Sequence, residues 1–235
     1  MAGRLIRHPS PNYGARRGGA SPDLVVLHYT GMASARAALA RLCEPSAAVS
    51  AHYLVDETGT TFQLVEEAER AWHAGAGRWG RVDDVNSRSI GIELVNTGTH
   101  PFPAPQMAAL EALLHDVMTR RSIPPARVIG HSDMAPARKS DPGARFDGGA
   151  RARAGLAVWH AAEGSGRCRD PARFATDAAA FGYDTSVGST WILRAFRLRF
   201  RPWAAARGGA PDAVDAALAA DLARRFPVDQ DAGTA

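Results

Sequence analysis

The sequence predicts a mixed α/β domain, with a central β-sheet flanked by helices, followed by a small three-helix domain. Short apolar runs typical of buried strands alternate with helical patterns over residues 22–147, which favours a sheet covered by helices. The composition then becomes rich in Gly, Ala and Arg over residues 148–168, which indicates a linker. Three helical patterns follow within residues 169–228 and complete the predicted architecture.

Two of the predicted strands carry polar residues with functional potential. Residues 23–30 form a nearly continuous apolar run, and on a strand His28 would share a face with Val26 and Thr30. Residues 89–96 alternate, so Glu93 would point away from the face that the isoleucines at positions 90 and 92 form. Each polar side chain is therefore predicted to point to the face opposite that of the residues directly before and after it.

Caps, turns and periodicity predict the remaining elements. Ser34 is placed to cap a helix that reaches Cys43. A turn at residues 57–59 separates two strand-like runs, as in a hairpin. Apolar spacing predicts a helix over residues 105–121, and a short strand at residues 128–129 leads into the following loop. The three C-terminal helical patterns span residues 171–181, 189–200 and 211–226.

Composition argues against several classes of function. The formal net charge is only +4 and the arginines are scattered, which favours a solvated surface over nucleic-acid binding. Neither a signal-peptide core nor a membrane-spanning stretch is visible, so we expect no membrane insertion and a cytoplasmic location. A misassigned start codon would change that expectation to the cell envelope. Cys43 and Cys168 lie too far apart for a zinc knuckle. Residues 1–21 are interpreted as an extended arm and residues 229–235 as a tail.

The loop IGHSDMAPARKSDPG concentrates ionisable groups directly after an apolar run, where function is common. It contains His131, Lys139 and Asp141. With His28, two neutral imidazoles and one carboxylate would suit a catalytic zinc ion that keeps a fourth position for water. Hydrolysis of an amide also needs a base and a group that stabilises the oxyanion. Glu93 is the candidate base, and Lys139 is the candidate stabiliser.

Spacing alone leaves other interpretations open. The H-E-x-x-H helix of many zinc proteases is absent, and a single histidine in a strand is commonly a satisfied core residue. Trp72, His73 and Asn96 are candidates for contact with a substrate, with packing or a structural role as the alternative. His52 is expected to be structural, and Asp133 is expected to brace its loop rather than bind metal.

Four segments resemble the N-acetylmuramoyl-L-alanine amidase type 2 family, the AmpD/AmiD-like zinc amidases: LHYTGM, SAHYLVDETGTTFQLVEEAERAWHAG, NSRSIGIELVN and GHSDMAPARKSDPG. They occur in the family's order and cover about residues 10–147. The resemblance implies a Zn²⁺ cofactor on His28, His131 and Asp141, with Glu93 and Lys139 as catalytic residues. The implied reaction hydrolyses the amide bond between the lactyl group of N-acetylmuramic acid, or of its 1,6-anhydro form, and L-alanine in peptidoglycan or muropeptides.

The C-terminal segment ILRAFRLRFRP resembles the small peptidoglycan-binding-type module of the AmiD-like branch. The alternative is a domain that packs against the first one and binds no glycan. Two other functions are alternatives on the same fold: a non-catalytic peptidoglycan-recognition protein and a phage-type endolysin that acts on intact wall. The presence of all three candidate zinc ligands disfavours the first, whereas the sequence leaves the second open.

Overall fold

The structure, a computed structural model, describes residues 5–161 and 170–229. Cys168, the end of the predicted linker and nearly all of the predicted tail lie outside the described residues. The strands are β1 (Leu5–Arg7), β2 (Tyr13–Ala15), β3 (Leu24–Tyr29), β4 (Tyr53–Val55), β5 (Thr61–Gln63), β6 (Glu69–Ala71), β7 (Ser89–Leu94) and β8 (Val128–Gly130). The helices are α1 (Ala35–Cys43), α2 (Val85–Arg88), α3 (Ala104–Arg121), α4 (His131–Met134), α5 (Gly148–Arg153), α6 (Phe174–Phe181), α7 (Ser189–Phe200) and α8 (Ala213–Arg225).

Six strands form one mixed sheet in the order β1-β5-β4-β7-β3-β8. Neighbouring strands run parallel except for the β4–β5 hairpin, which is antiparallel as the turn signal predicted. A separate antiparallel pair joins β2 to β6. The predicted class, a mixed sheet flanked by helices, is confirmed.

The central strand β3 is buried on both faces, which explains its continuous apolar run. Val25 and Leu27 pack with Ile92 and with Leu110 of α3, in the core on one side of the sheet. On the other side, Val26 belongs to a second core cluster. The alternation that places His28 on the same face as Val26 is therefore the one that the sequence predicted.

Residues 5–16 are integral to the fold, although their composition indicated an extended arm. β1 extends the sheet beside β5, and β2 pairs with β6. Arg16 follows β2 and is buried, and its guanidinium donates to the carbonyl oxygens of Glu67, Ser87 and Ser89. No side chain of β1 or β2 is fully buried, and the segment is rich in Gly, Pro and Arg, so no apolar run marks these strands and the sequence did not predict them.

The beginning of the predicted linker also has regular structure. Asp147 caps helix α5 by accepting from the backbone N–H of Ala150. Arg151 of this helix is buried, and its guanidinium lies 2.6 Å from a carboxylate oxygen of Glu111 on α3. An ion pair rather than an apolar stripe holds α5, which is why the hydrophobic pattern indicated no helix there.

The three C-terminal helices occur where the sequence predicted them, but they share a core with the sheet domain. Phe181, Phe196 and Phe200 belong to the same buried cluster as Val26 and Trp79. A glycine is required at position 182, because a Cβ atom there would lie 2.4 Å from the Trp79 ring. None of the helices in residues 5–161 and 170–229 is long and apolar enough to cross a membrane.

Asp133 connects the helical region to the turn that contains His131. Its Oδ1 accepts from the Tyr183 hydroxyl at 2.6 Å, and its Oδ2 accepts from Arg199 of α7 at 2.7 Å. The same Oδ2 also accepts from the backbone N–H of Gly130 at 2.7 Å. Asp133 thus braces its loop, as expected from the sequence, and two of its partners come from the C-terminal helical region.

We predict that Tyr183→Phe lowers the free energy of unfolding by about 1–3 kcal/mol, because Oδ1 of the buried Asp133 loses its donor. Urea unfolding measures the change. Tyr13→Phe is the matched control, since Tyr13 is exposed and its loss of a hydroxyl should change stability by less than about 0.5 kcal/mol. Equal stabilities of the two variants would contradict the bracing role of Asp133.

Candidate metal centre and active site

Two neighbouring parallel strands place the first two site residues side by side. His28 near the end of β3 is directly opposite Glu93 of β7 in the register of the sheet. Opposed residues on adjacent strands project to the same face of the sheet. Both side chains therefore emerge on one face, near the carboxyl ends of β3 and β7. This pairing follows from the two alternating patterns that the sequence shows.

The loop after β8 supplies the other two ligand candidates. His131 is the first residue of α4, and the backbone N–H of Ser132 donates to the carbonyl oxygen of Asp141 at 2.9 Å. Gly130 allows the loop to return this closely, because a Cβ atom there would lie 2.6 Å from Cδ of Pro142. The backbone thereby brings together His131 and Asp141, which are ten positions apart in the chain.

Three candidate ligand atoms converge on one point. His28 Nδ1 lies 2.8 Å from His131 Nδ1 and 3.1 Å from Asp141 Oδ2. His131 Nδ1 lies 3.0 Å from the same carboxylate oxygen. The three residues are buried, with exposed fractions of 1%, 3% and 7% respectively. This group could bind a metal ion, and it is the set that the sequence predicted.

The ionisation of these groups suits a metal ion. Burial and the neighbouring His131 lower the pKa of His28 to about 4, so its imidazole is neutral at pH 7. His131 Nε2 lies 2.9 Å from the carbonyl oxygen of Ala74, which can only accept. Nε2 therefore carries the hydrogen, and Nδ1 presents a lone pair to the group, as a metal requires.

Glu93 has an unsatisfied carboxylate beside this group. Its Oε2 is buried and has no hydrogen-bond partner in the part of the chain that the structure describes. Burial raises the pKa of Glu93 to about 8, the Asp141 carboxylate acts in the same direction, and Lys139 opposes both. A carboxyl group whose pKa lies near neutrality is suited to accept and return a proton.

An open cavity of about 430 Å³ lies over the group. Its lining includes Glu93, Lys139 and the partly buried Trp72. It also includes two basic residues that the sequence did not single out, Arg41 and Arg138. Neither arginine stands in a periodic pattern that marks it, and only the tertiary fold brings α1 and the loop to one cavity. The structure thus assembles the predicted catalytic residues on the wall of a basic pocket.

Asn96 is not part of the cavity lining. It is 1% exposed, and its side-chain oxygen accepts from the backbone N–H of Gly98 at 2.7 Å. Its amide nitrogen donates to the carbonyl oxygen of His100 at 3.3 Å. These contacts order the turn after β7, and they occupy the polar atoms that a substrate contact would need.

The two other histidines of the family-like segments are buried. His52 Nδ1 accepts from the backbone N–H of Gly91 at 2.9 Å, a geometry that agrees with its expected structural role. His73 borders the cavity but is only 9% exposed, and its Nδ1 lies 3.0 Å from Nε2 of His28. Its Nδ1 therefore faces the candidate ligand His28, a relation that sequence spacing does not reveal.

Comparison with known proteins identifies the family that the sequence motifs resemble. The sequence profile of a family described as N-acetylmuramoyl-L-alanine amidase matches residues 18–144. The N-acetylmuramoyl-L-alanine amidase AmiD of Escherichia coli K12 is 34% identical, with 88% of this chain and 84% of that protein covered. The 1,6-anhydro-N-acetylmuramyl-L-alanine amidase AmpD of Citrobacter freundii is also 34% identical, over 60% of this chain and 84% of AmpD.

Solved structures show the similarity over nearly the whole chain. One is E. coli AmiD in complex with the substrate anhydro-N-acetylmuramic acid-L-Ala-D-γ-Glu-L-Lys. It superposes with a TM-score of 0.81 at 31% identity, covering 93% of this chain and 99% of AmiD. AmpDh3 of Pseudomonas aeruginosa superposes with a TM-score of 0.78 at 30% identity, covering 92% and 95%. The similarity therefore includes the C-terminal helices.

We predict that Glu93 makes the metal-free protein less stable as the pH rises. Its pKa of about 8 in the folded protein exceeds the ordinary value of 4.5, so its stabilising contribution is complete below pH 4.5 and is lost as the pH rises to 8. The measurement is urea unfolding of the protein and of Glu93→Gln, in a chelator, across this range. The stability of the protein relative to the variant should fall by up to about 1.4 kcal/mol per pH unit. A pH-independent difference would contradict the raised pKa.

Proposed function

The chain belongs to the N-acetylmuramoyl-L-alanine amidase family and is an amidase, and we propose that it is a zinc enzyme acting on muropeptides. The bond cleaved joins the lactyl carbonyl of N-acetylmuramic acid, or of its 1,6-anhydro form, to the nitrogen of L-alanine. The observation that carries the proposal is the convergence of two imidazole nitrogens and one carboxylate oxygen beside the unsatisfied Oε2 of Glu93. A zinc ion held by His28, His131 and Asp141 would polarise the carbonyl and acidify a water molecule.

In this proposal Glu93 transfers the proton. Its ionised Oε2 accepts a proton from water as the water oxygen attacks the lactyl carbonyl carbon. It then returns that proton to the nitrogen of L-alanine as the C–N bond breaks. The products are the lactyl carboxylate and a peptide with a free amino group. A zinc ion held by His28, His131 and Asp141 would place positive charge beside Glu93. This charge would lower the pKa of Glu93 and favour its ionised form before attack.

Lys139 stabilises the oxyanion that forms at the lactyl oxygen. It lies two residues before Asp141 in the same loop and lines the cavity with Glu93. Its ammonium group already influences the pKa of both Glu93 and His28, so its charge acts at the reacting centre. A fixed cation in a partly buried cavity stabilises developing negative charge more strongly than the same cation does in water.

The charge of the cavity supports a peptide bearing carboxylates as the substrate. AmiD is solved with a muropeptide that contains D-γ-Glu, and AmpDh3 is solved with an anhydromuramic pentapeptide. A γ-linked glutamate keeps a free α-carboxylate, which complements the basic residues Arg41 and Arg138 of the cavity. We therefore propose that Trp72, Arg41 and the remaining N–H groups of Arg138 contact the peptide stem. Nη2 of Arg138 already donates to the carbonyl oxygen of Ala74 at 3.1 Å, and the polar atoms of Asn96 are occupied.

The cytoplasmic location that the sequence indicated stays a prediction, and a role in muropeptide recycling depends on it. An endolysin-like action on intact wall is the second candidate function. The open cavity and the C-terminal helices resembling a peptidoglycan-binding-type module favour it as an alternative. The two functions differ in their preferred substrate and are separated by the experiment below.

The test is a digest of purified anhydro-muropeptide and, separately, of intact sacculi, read by mass spectrometry. We expect release of free peptide from the muropeptide, loss of this release in a chelator, and its recovery when zinc is added. Cleavage of sacculi alone would replace recycling by action on the wall. Chelator-resistant cleavage would contradict the zinc proposal, and no cleavage of either substrate would contradict the amidase mechanism.

We predict that Glu93→Gln lowers kcat/KM for the muropeptide by about 10²–10⁴-fold, since an amide of the same shape accepts no proton. Bound zinc, measured by plasma mass spectrometry, should stay near one ion per chain. Glu66→Gln is the control, because Glu66 is an exposed glutamate outside the cavity and its loss should leave kcat/KM within about twofold. A Glu93→Gln variant with most of its activity would exclude Glu93 as the base.

A further inference from the structure

We infer that His73 is a positioning residue that fixes the ring orientation and tautomer of His28, so that Nδ1 of His28 faces the metal centre. The inference rests on the zinc site proposed above. Nε2 of His28 points away from the other ligands and lies 3.0 Å from Nδ1 of His73. The two rings meet edge to face, with centroids 5.1 Å apart. Nε2 of His28 and Nδ1 of His73 must therefore share a single hydrogen atom.

The hydrogen bonds of Ser89, on the other side of the His73 ring, determine which nitrogen carries that hydrogen. The Ser89 hydroxyl donates to the carbonyl oxygen of Val85, which can only accept. Its single hydrogen is therefore used, and Ser89 Oγ accepts from Nε2 of His73 at 3.2 Å. A neutral His73 with its hydrogen on Nε2 presents a lone pair at Nδ1. That lone pair accepts from Nε2–H of His28 and leaves Nδ1 of His28 free for the metal.

The surrounding fold holds the His73 ring in this position. The backbone N–H of His73 donates to Oδ1 of Asn86 at 3.0 Å. Gly91 of β7 lies against the ring, where a Cβ atom would be 2.4 Å from Cγ of His73. Only glycine leaves room for the imidazole here. Both ring nitrogens are occupied by His28 and Ser89, so the ring offers no polar atom to a substrate.

The expected effect is on metal affinity. A histidine that ligates a metal is held in the correct tautomer by an acceptor on its other nitrogen, and loss of such a partner costs about 10–100-fold in metal affinity or activity. The acceptor for His131 is a backbone carbonyl, which substitution cannot remove. The acceptor for His28 is a side chain, which makes its contribution measurable.

The experiment compares His73→Leu with His73→Asn in the full chain. The two replacements have nearly the same shape, but only Asn has an acceptor near the position of Nδ1. Zinc affinity is measured by competition with a chromophoric chelator. We expect a 10–100-fold weaker Kd for the Leu variant and a change of less than about fivefold for the Asn variant. Equal Kd values for both variants, whether near the wild-type value or far from it, would overturn the inference.

A second comparison does not depend on the His73 variants folding. Ser89→Ala removes the acceptor of His73 Nε2–H, and Ser87→Ala removes a nearby hydroxyl that donates to Asp84 instead. We expect several-fold weaker zinc binding in Ser89→Ala and unchanged binding in Ser87→Ala. Unchanged binding in both would overturn the inference. A wild-type protein that binds no zinc would overturn the proposed metal, whereas matched affinities in a zinc-binding protein would overturn only the role of His73.

Discussion

The structure depends on one electrostatic constraint: two imidazole nitrogens and a carboxylate oxygen must be held within 3.1 Å of one another in a buried site. Without a cation their lone pairs repel, and each group would turn towards its other hydrogen-bond partners. The chain counteracts this by giving each of the two candidate histidines a partner on its other ring nitrogen. Ala74 supplies an acceptor to His131, and His73 lies against His28.

The support reaches well beyond the ligands. The same short segment contributes His73 and the carbonyl of Ala74, and Asn86 accepts from the backbone N–H groups of both residues. On the other side, Asp133 ties the turn after β8 to Tyr183 and Arg199 in the C-terminal region. The similarity to AmpD covers 60% of this chain, whereas that to AmiD covers 88%. In this protein, residues from beyond the sheet domain thus help to hold the loop of His131.

The sequence predicted the elements whose packing is apolar and periodic. β3, β7 and α3 occur where alternation or helical spacing placed them, and the register of β3 against β7 sets His28 beside Glu93. It did not predict β1 or α5, because the residues of β1 are exposed or only partly buried and α5 is held by the Arg151 ion pair, so neither leaves a hydrophobic pattern. Within the site, the candidate metal ligands and Glu93 were marked by polar residues that interrupt apolar strands or crowd one loop, and the family resemblance selected the same residues. The partners of His73 come from distant parts of the chain, which residue spacing does not encode, whereas those of Asn96 lie in the turn that directly follows it.

The metal site can be tested by anomalous diffraction at the zinc edge from crystals of the zinc-loaded protein. We expect one zinc peak bound by Nδ1 of His28, Nδ1 of His131 and a carboxylate oxygen of Asp141. Zn–N distances of about 2.0–2.1 Å and an open fourth position are expected. A peak elsewhere in the molecule, or coordination through Nε2 of either histidine, would contradict it.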